Sequence, residues 1–409
     1  MNVLIITQWF DPEPNNMKGL AFAKRIKEKG HHVEVLTGLP NYPNGILYKG
    51  YKKSLYQKEW MEGVLIHRVL LYPSHDAHVI KRMLNYISFA FFASILGPFK
   101  IKGRFDVIYV YHPPITSMLP ALLLKRIKNA KLLLDVNDLW PDTFRTVGMM
   151  NKKWFLYFVD KWVKYCYKKA DKINVLSVGM KNILILREVP FEKIEVISVW
   201  CNETNMSDKI NQDFLEKHKL HNTKLAIYAG AMGKAQHLET IIEAAKMLDE
   251  EGIQVKVLLI GNGTCLAALR SLAANYQLSN LLFVPVLSPL QLTQILNGSD
   301  ILLIHLKKEP LFSITIPSKI PYYLNIGKPI VAGLEGDAAE LLKQSKSAKI
   351  YKSEDASGIA RGIKEVLNMT IEEQREMGLR GKKFYQEKLS FYVLTDKFIQ
   401  VMEGLSKNK

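Results

Sequence analysis

Thr315-Ile316-Pro317-Ser318-Lys319, followed by Tyr322-Tyr323-Leu324 and then Gly327-Lys328-Pro329-Ile330-Val331, carries the strongest fold signal in the chain. An apolar strand ending near Leu306 gives way here to a helix that stops at Gly327. A helix start exposes unpaired backbone N–H groups and the positive end of the helix dipole, which together suit a phosphate group. Ser318 adds a hydroxyl and Lys319 a cation, so with Pro317 the segment reads as a cradle for a diphosphate. Taken alone, the same residues are equally an ordinary strand–loop–helix with a capping serine.

Outward from this stretch, short apolar runs alternate with amphipathic segments. Runs at 3–6, 33–36, 64–69, 107–110, 132–134, 173–175 and 194–197 read as the strands of one unit. Those at 225–228, 255–260, 281–284, 301–304, 329–332 and 348–351 read as the strands of a second. Helical patterns at 18–29, 154–169, 238–250 and 289–297 lie between them. Alternating strand and helix predicts an α/β fold with parallel sheets covered on both faces, and the pattern occurs twice. The polar stretch CNETNMSDKINQ at 201–212 marks the boundary between the units. The expected division is therefore 1–200, 201–388 and a helical tail, 389–409. Thr370 with Glu373 forms a capping signal for the helical pattern at 371–407.

A chain of 409 residues with 48% hydrophobic content is long enough for two cores. Cys166, Cys201 and Cys265 are scattered, which suggests neither a disulfide framework nor a zinc site and favours a reducing, cytoplasmic setting. The first residues read as a buried strand, not as a signal peptide. The charge is lopsided: residues 1–200 hold 30 Lys and Arg against 16 Asp and Glu, a net of +14 out of +17. Such a half suits an anionic partner. The chain has no helix-turn-helix, zinc finger or aromatic RNA-binding signature, so nucleic acid is the weaker choice.

Several motifs follow strands. Ala229-Gly230-Ala231-Met232-Gly233-Lys234-Ala235-Gln236-His237 opens a helix, and its glycines let backbone approach an anion. Gly261-Asn262-Gly263 closes another strand, and Val284-Pro285-Val286 a third. In the first half, His112 ends a strand before Pro113, and Asp135-Val136-Asn137-Asp138-Leu139-Trp140-Pro141-Asp142 ends the next. Asn15-Asn16 and Asn41-Tyr42-Pro43-Asn44-Gly45 sit in the loops after the first two strands. Each has a plain reading as a turn, cap or core residue.

The order from Gly230 through Gly261 and Val284 to Pro-Ser-Lys and Gly-Lys-Pro resembles the donor half of the family-4 retaining glycosyltransferases of the GT-B fold. Asp-x-Trp-Pro-Asp and the Pro-Asn-Tyr-Pro stretch at 40–43 resemble capsule and O-antigen members similar to the N-acetyl-L-fucosamine transferases. The resemblance implies two Rossmann-like domains facing a central cleft, with a C-terminal helix crossing back to the first. It implies donor binding by Gly230, Gly233, Lys234, Gln236, Gly261, Gly263, Val286, Pro317, Ser318 and Lys319. It places His112 and Asp138 at the reacting sugar, and Asn16, Asn41, Tyr42 and Trp140 toward the acceptor. The implied reaction uses a nucleotide-sugar donor, with UDP as leaving group, and a polyprenyl-diphosphate-linked acceptor. The product belongs to capsule, O-antigen or exopolysaccharide assembly. No cofactor and no metal are expected.

The chain also departs from the pattern. Ala231 stands where members carry Arg, Gln236-His237 where they carry Lys-Gly, and Asn15-Asn16 where they carry glycines. The usual glutamate pair would fall near Ile314 and Tyr322, neither acidic. The missing glutamate pair keeps open a catalytically silent relative that binds lipid or a partner transferase; a nucleotide-sugar 2-epimerase, which shares the fold, is a further alternative, although its acidic catalytic set is not visible. A nicotinamide dehydrogenase is disfavoured, because residues 8–16 contain no glycine.

Residues 83–99 form a mostly apolar run flanked by Lys81, Arg82, Lys100, Lys102 and Arg104. The run is short for a membrane span. It reads either as a core helix or, preferably, as an interfacial helix on an anionic surface, peripheral on the inner face of the cell membrane.

Overall fold

The computed structural model describes residues 1–14, 17–74, 79–146, 152–203, 207 and 209–407. The chain forms two compact units, Met1–Ile197 with Thr395–Lys409, and Ser198–Leu394. Asn16 lies outside the described residues.

The first unit is built on β1 (Asn2–Ile6), β2 (His32–Gly38), β3 (Tyr56–Met61), β4 (Val64–Val69), β5 (Val107–His112), β6 (Lys131–Val136), β7 (Lys172–Val175) and β8 (Ile194–Val196). Their order in the sheet is β3-β4-β2-β1-β5-β6-β7-β8. Every pairing is parallel except β3 with β4. The parallel strands are covered on both faces, which is why they appear as unbroken apolar runs. β3 was not anticipated: it is an edge strand whose sequence, YQKEWM, has no continuous apolar run, and no residue of it is fully buried. Its sequence signal is the two-residue turn Glu62-Gly63, both at positive φ (48° and 78°), the geometry of a tight hairpin.

Right-handed crossovers assign the helices to faces. The step from β1 to β2 runs one way along the sheet, whereas β4 to β5 and each later step run the other way. Helix Leu20–Glu28 therefore lies on one face. Helices Val79–Lys100, Met118–Lys128, Lys153–Lys169 and Val178–Leu186 lie on the opposite face. The tail pattern is broken at Tyr385–Leu389 and resumes as helix Phe391–Lys407. From Thr395 this last helix belongs to the first unit. Phe398 meets Phe22 and Tyr109 at 5.7 and 5.9 Å, and Asp396 pairs with Arg25 and Lys29, each at 2.8 Å.

The second unit holds β9 (Lys224–Ala229), β10 (Val255–Ile260), β11 (Leu281–Val284), β12 (Ile301–His305), β13 (Ile330–Gly333) and β14 (Ala348–Tyr351). The order is β11-β10-β9-β12-β13-β14, all parallel. Ile241, Leu248, Leu269 and Ile363 from the helices close over Val257, Leu259 and Leu303 of the sheet. Helix starts follow their sequence signals: Ser288 with Gln291, and Thr370 with Glu373, both form capping boxes.

In each sheet the winding reverses once. It does so between β1 and β5 in the first unit and between β9 and β12 in the second. Loops at such a reversal diverge and leave a crevice at the strand C-termini, where open α/β sheets bind ligands.

Candidate functional site

In the second unit the loops after β9 and β12 are the Gly230 loop and the segment leading to Pro-Ser-Lys. Gly230 donates its N–H to the Ile260 carbonyl at 2.9 Å, and Gly261 donates to Val284 at 3.0 Å. Both glycines have φ near +145° (146° and 143°). A Cβ on Gly261 would lie 2.0 Å from the Gly230 carbonyl oxygen, so the two turns touch backbone to backbone. Met232 donates to Asn262 and accepts from Cys265, both at 2.9 Å, and a Cβ on Gly263 would meet the Met232 oxygen at 2.3 Å. Gln236 folds its Oε1 back onto the Gly233 N–H at 3.1 Å, which fixes the turn before helix Glu239–Glu250.

Lys319 opens helix Lys319–Ile326. Its ammonium nitrogen is buried and has no hydrogen-bond partner among the described residues. It lies 3.6 Å from the centre of the Tyr228 ring. A Cβ on Gly230 would come within 3.0 Å of this nitrogen, so the glycine also makes room for the cation. Tyr228 is held by its hydroxyl, which donates to the Ala231 carbonyl at 2.6 Å. Burial pushes the lysine down to about 7, from an ordinary value of 10.5. Ser318 is exposed, and its hydroxyl makes no capping bond. Lys234 is exposed, and so is Val286. The Val284 carbonyl accepts from Gly261.

Two residues without a sequence motif shape this region. His305 ends β12 fully buried, donates Nδ1–H to the Gln236 carbonyl at 2.8 Å and accepts at Nε2 from the Glu354 N–H at 3.0 Å. Burial lowers it to about 4, so it is a neutral clamp on the Gln236 turn. Tyr322, which stands at the sequence position of the family's second glutamate, places its hydroxyl 2.6 Å from Thr293 Oγ1. Beside this region, a cavity of about 410 Å³ is bounded by Leu306, Lys307, Glu309, Phe312 and Glu335. Lys307 joins it to the Gly230 loop by donating to Ala235 at 2.9 Å.

In the first unit, His112 is the last residue of β5 and completely buried. Neither ring nitrogen has a partner among the described residues. Burial lowers it to about 3, so at neutral pH it presents one N–H donor and one acceptor without charge. Its carbonyl accepts from the Asn137 backbone and side chain at 3.0 and 3.1 Å, which ties β5 to the loop carrying Asp138. The Asp138 carboxyl is raised by burial.

Trp140 and Asn41, expected toward the acceptor, occupy supporting positions instead. Trp140 is buried edge-on against His112 at 5.2 Å and packs on Phe144 at 4.3 Å, leaving no free face for a sugar to stack on. Asn41 is buried, with its amide donating to Leu39 and its oxygen accepting from Asn85 at 3.2 Å. Tyr42 is half-buried against Trp9. Sequence reasoning missed Glu13, whose buried carboxylate gathers the N–H groups of Phe10, Asn41 and Tyr42 at 3.1, 2.7 and 2.7 Å. It stitches the loop after β1 to the loop after β2. Desolvation pushes it up to about 7 despite those donors.

Comparison with known proteins agrees with this geometry. Residues 20–200 match a glycosyl transferase 4-like domain, and residues 210–384 match glycosyl transferases group 1. The Escherichia coli protein WcaI, named for a glycosyl transferase of colanic acid biosynthesis, is 25% identical over 84% of this chain and 86% of its own. Pseudomonas aeruginosa WbjE, named as a glycosyltransferase, is 22% identical over 81% and 82%. Among solved structures, sucrose-phosphate synthase from Thermosynechococcus elongatus superposes with a TM-score of 0.74 at 15% identity, covering 100% of both chains. Anabaena HepE, solved in complex with UDP, gives 0.72 at 12% identity, covering 99% of this chain and 100% of that one.

Proposed function

Because the chain belongs to the family-4 glycosyltransferases and has their GT-B fold, we propose that it moves a sugar from UDP to a polyprenyl-diphosphate-linked saccharide, with retention at the anomeric carbon. The observation that carries the reading is the Lys319 ammonium. A buried cation without a counter-charge is costly, and such a group persists where a ligand supplies the missing charge. A diphosphate on the Gly230 turn would meet Lys319, the start of helix Lys319–Ile326 and the Ser318 hydroxyl together. HepE, similar in fold, was solved with UDP, which supports the choice of nucleotide.

The chemistry then needs no protein nucleophile. The bond from the anomeric carbon to the diphosphate oxygen breaks, and the electron pair leaves with the diphosphate. The acceptor hydroxyl forms the new bond on the same face, and its proton passes to the departing phosphate. Lys319 and the backbone N–H groups stabilise the charge that develops there. Neutral His112 orients sugar hydroxyls, with Trp140 against its ring, and Asp138, on the following loop, is the second group proposed at the sugar. Lys234, exposed on the same loop, adds a second cation for the phosphates. No metal is required, and the nucleotide sugar is a co-substrate rather than a cofactor.

A lipid-linked acceptor would place the work at the cytoplasmic face of the membrane, and the name of WcaI, for colanic acid biosynthesis, supports a product of that kind. The test is calorimetric titration with UDP, UMP and GDP, followed by transfer to a polyprenyl-diphosphate saccharide with the product anomer read by NMR. Micromolar UDP binding, weaker UMP binding and a retained anomer are expected. An inverted anomer refutes the mechanism. Binding without donor hydrolysis or transfer identifies a silent relative.

A further inference from the structure

The helices on the second face of the first unit are apolar on their outer side as well as their inner one. Helix Val79–Lys100 turns Phe89, Ala90 and Ala93 into the core. On its opposite side Ile80, Leu84, Ile87, Phe91, Ile95 and Phe99 succeed one another every three or four residues, with Phe91 54% and Phe99 76% exposed. A helix covering a water-facing sheet normally shows one apolar stripe, so the second needs an occupant other than water.

The stripe does not stand alone. Helix Met118–Lys128 packs alongside, with Leu124 against Gly97, and exposes Leu119, Leu123 and Ile127. Helix Lys153–Lys169 follows, joined by Lys125 to the Lys169 carbonyl at 2.8 Å and by the Trp162 indole to Ile115 at 3.4 Å. Its outer side is aromatic: Trp154 (62% exposed), Tyr157, Phe158 (63%) and Tyr165. The Lys161 and Lys169 ammonium groups lie over the Tyr157 and Tyr165 rings, 4.5 and 5.6 Å from their centres.

Charge decides the occupant. These three helices carry eleven Lys and Arg and one acidic residue, Asp160. A second copy of the chain would bring the same cations against them, whereas anionic headgroups neutralise them. Aromatic rings between lysines are also the composition found at the membrane–water interface. No described helix is long and apolar enough to cross a membrane, so a lipid partner would be met at its surface. Helix Val79–Lys100 also reaches inward to the loops after β1, β2 and β4: the Asn85 amide donates to Asn41 Oδ1 at 3.2 Å and to Tyr72 at 2.7 Å, and Gln8 donates to Asn85 Oδ1.

We propose that this face docks on an anionic lipid surface through two contacts. The first is the apolar stripe of Val79–Lys100 lying in the headgroup plane. The second is the aromatic side of Lys153–Lys169. The surface deepens the reading of a lipid-linked acceptor, on which it rests: it would hold the loops carrying Asn41 and Tyr42 close to the headgroups from which such an acceptor projects.

The experiment is co-sedimentation of the full chain with phosphatidylglycerol–phosphatidylcholine vesicles and with phosphatidylcholine alone. One variant combines Ile87→Gln, Phe91→Gln and Ile95→Gln, and a second combines Trp154→Gln and Phe158→Gln. Thermal unfolding and UDP calorimetry on the same preparations show that the variants are folded. Wild type should bind anionic vesicles at least tenfold better than neutral ones, and each variant should lose at least tenfold while keeping UDP affinity. Loss in the first variant alone overturns the second contact. Unchanged binding in both overturns the surface. A wild-type dimer in vesicle-free sedimentation, made monomeric by both variants, assigns the face to a second copy and overturns the lipid reading. Failure of wild type to bind UDP would count against the proposed donor and leave the vesicle result standing.

Discussion

Replacing Lys319 with Met keeps an unbranched side chain one atom shorter and removes the charge, with consequences of opposite sign in the free and bound protein. The free folded protein holds this ammonium out of water with only the Tyr228 ring beside it. Its folded value of about 7, against 10.5, means that between those two values the unfolded chain binds more protons than the folded one. Stability contributed by this residue therefore rises with pH across the window, by about 1.4 kcal/mol per pH unit. Below pH 7 both states are charged and the folded state carries the full desolvation cost. Lys319→Met should accordingly be more stable than wild type at pH 7, by about 2–4 kcal/mol. That advantage should shrink by about 2–3 kcal/mol on going from pH 7 to pH 9. Urea unfolding of both proteins at several pH values measures it, and the difference between them removes the contribution of other titrating groups.

Bound UDP reverses the sign. The charge-assisted contact with the diphosphate contributes about 1.5–3 kcal/mol, so the variant should bind UDP roughly 10–150-fold more weakly. At pH 8 the free lysine is mostly neutral and must take up a proton to meet the diphosphate. Calorimetry in buffers of different ionisation enthalpy should thus report uptake of close to one proton for wild type and none for the variant. A folded variant with wild-type UDP affinity and unchanged proton uptake would refute the cradle.

His112→Ala should lower turnover about 10–100-fold with UDP affinity little changed, because the proposed function puts the ring at the sugar and not at the nucleotide; equal loss in both would make it structural. Gly261→Ala should destabilise the protein by about 2 kcal/mol or more and weaken UDP binding, since φ is positive and the new Cβ would strike the Gly230 carbonyl; denaturant midpoints and calorimetry read both. Activity should survive EDTA, with cations and helix starts supplying the charge; complete loss restored by manganese or magnesium would reveal a metal site.

The alternation of apolar strands and helices was legible in the sequence because parallel strands covered on both faces must be continuously apolar. The turn proposed for the diphosphate was legible as a turn too, since a glycine after a strand and Ser-Lys at a helix start are local chemistry. Strand β3 was not, because an edge strand satisfies half its backbone in water and needs no continuous apolar run. Glu13 and His305 were equally invisible: their roles rest on backbone N–H groups 28 and 49 residues away, distances along the chain at which no spacing survives. The identity of the Pro-Ser-Lys lysine belongs to the sequence, but its state does not. Only folding seals its nitrogen over Tyr228 without a partner, and burial of that kind is a property of everything packed around it. Likewise an apolar run at 83–99 is written in the residues, whereas which side of that helix faces water depended on what the sheet left uncovered.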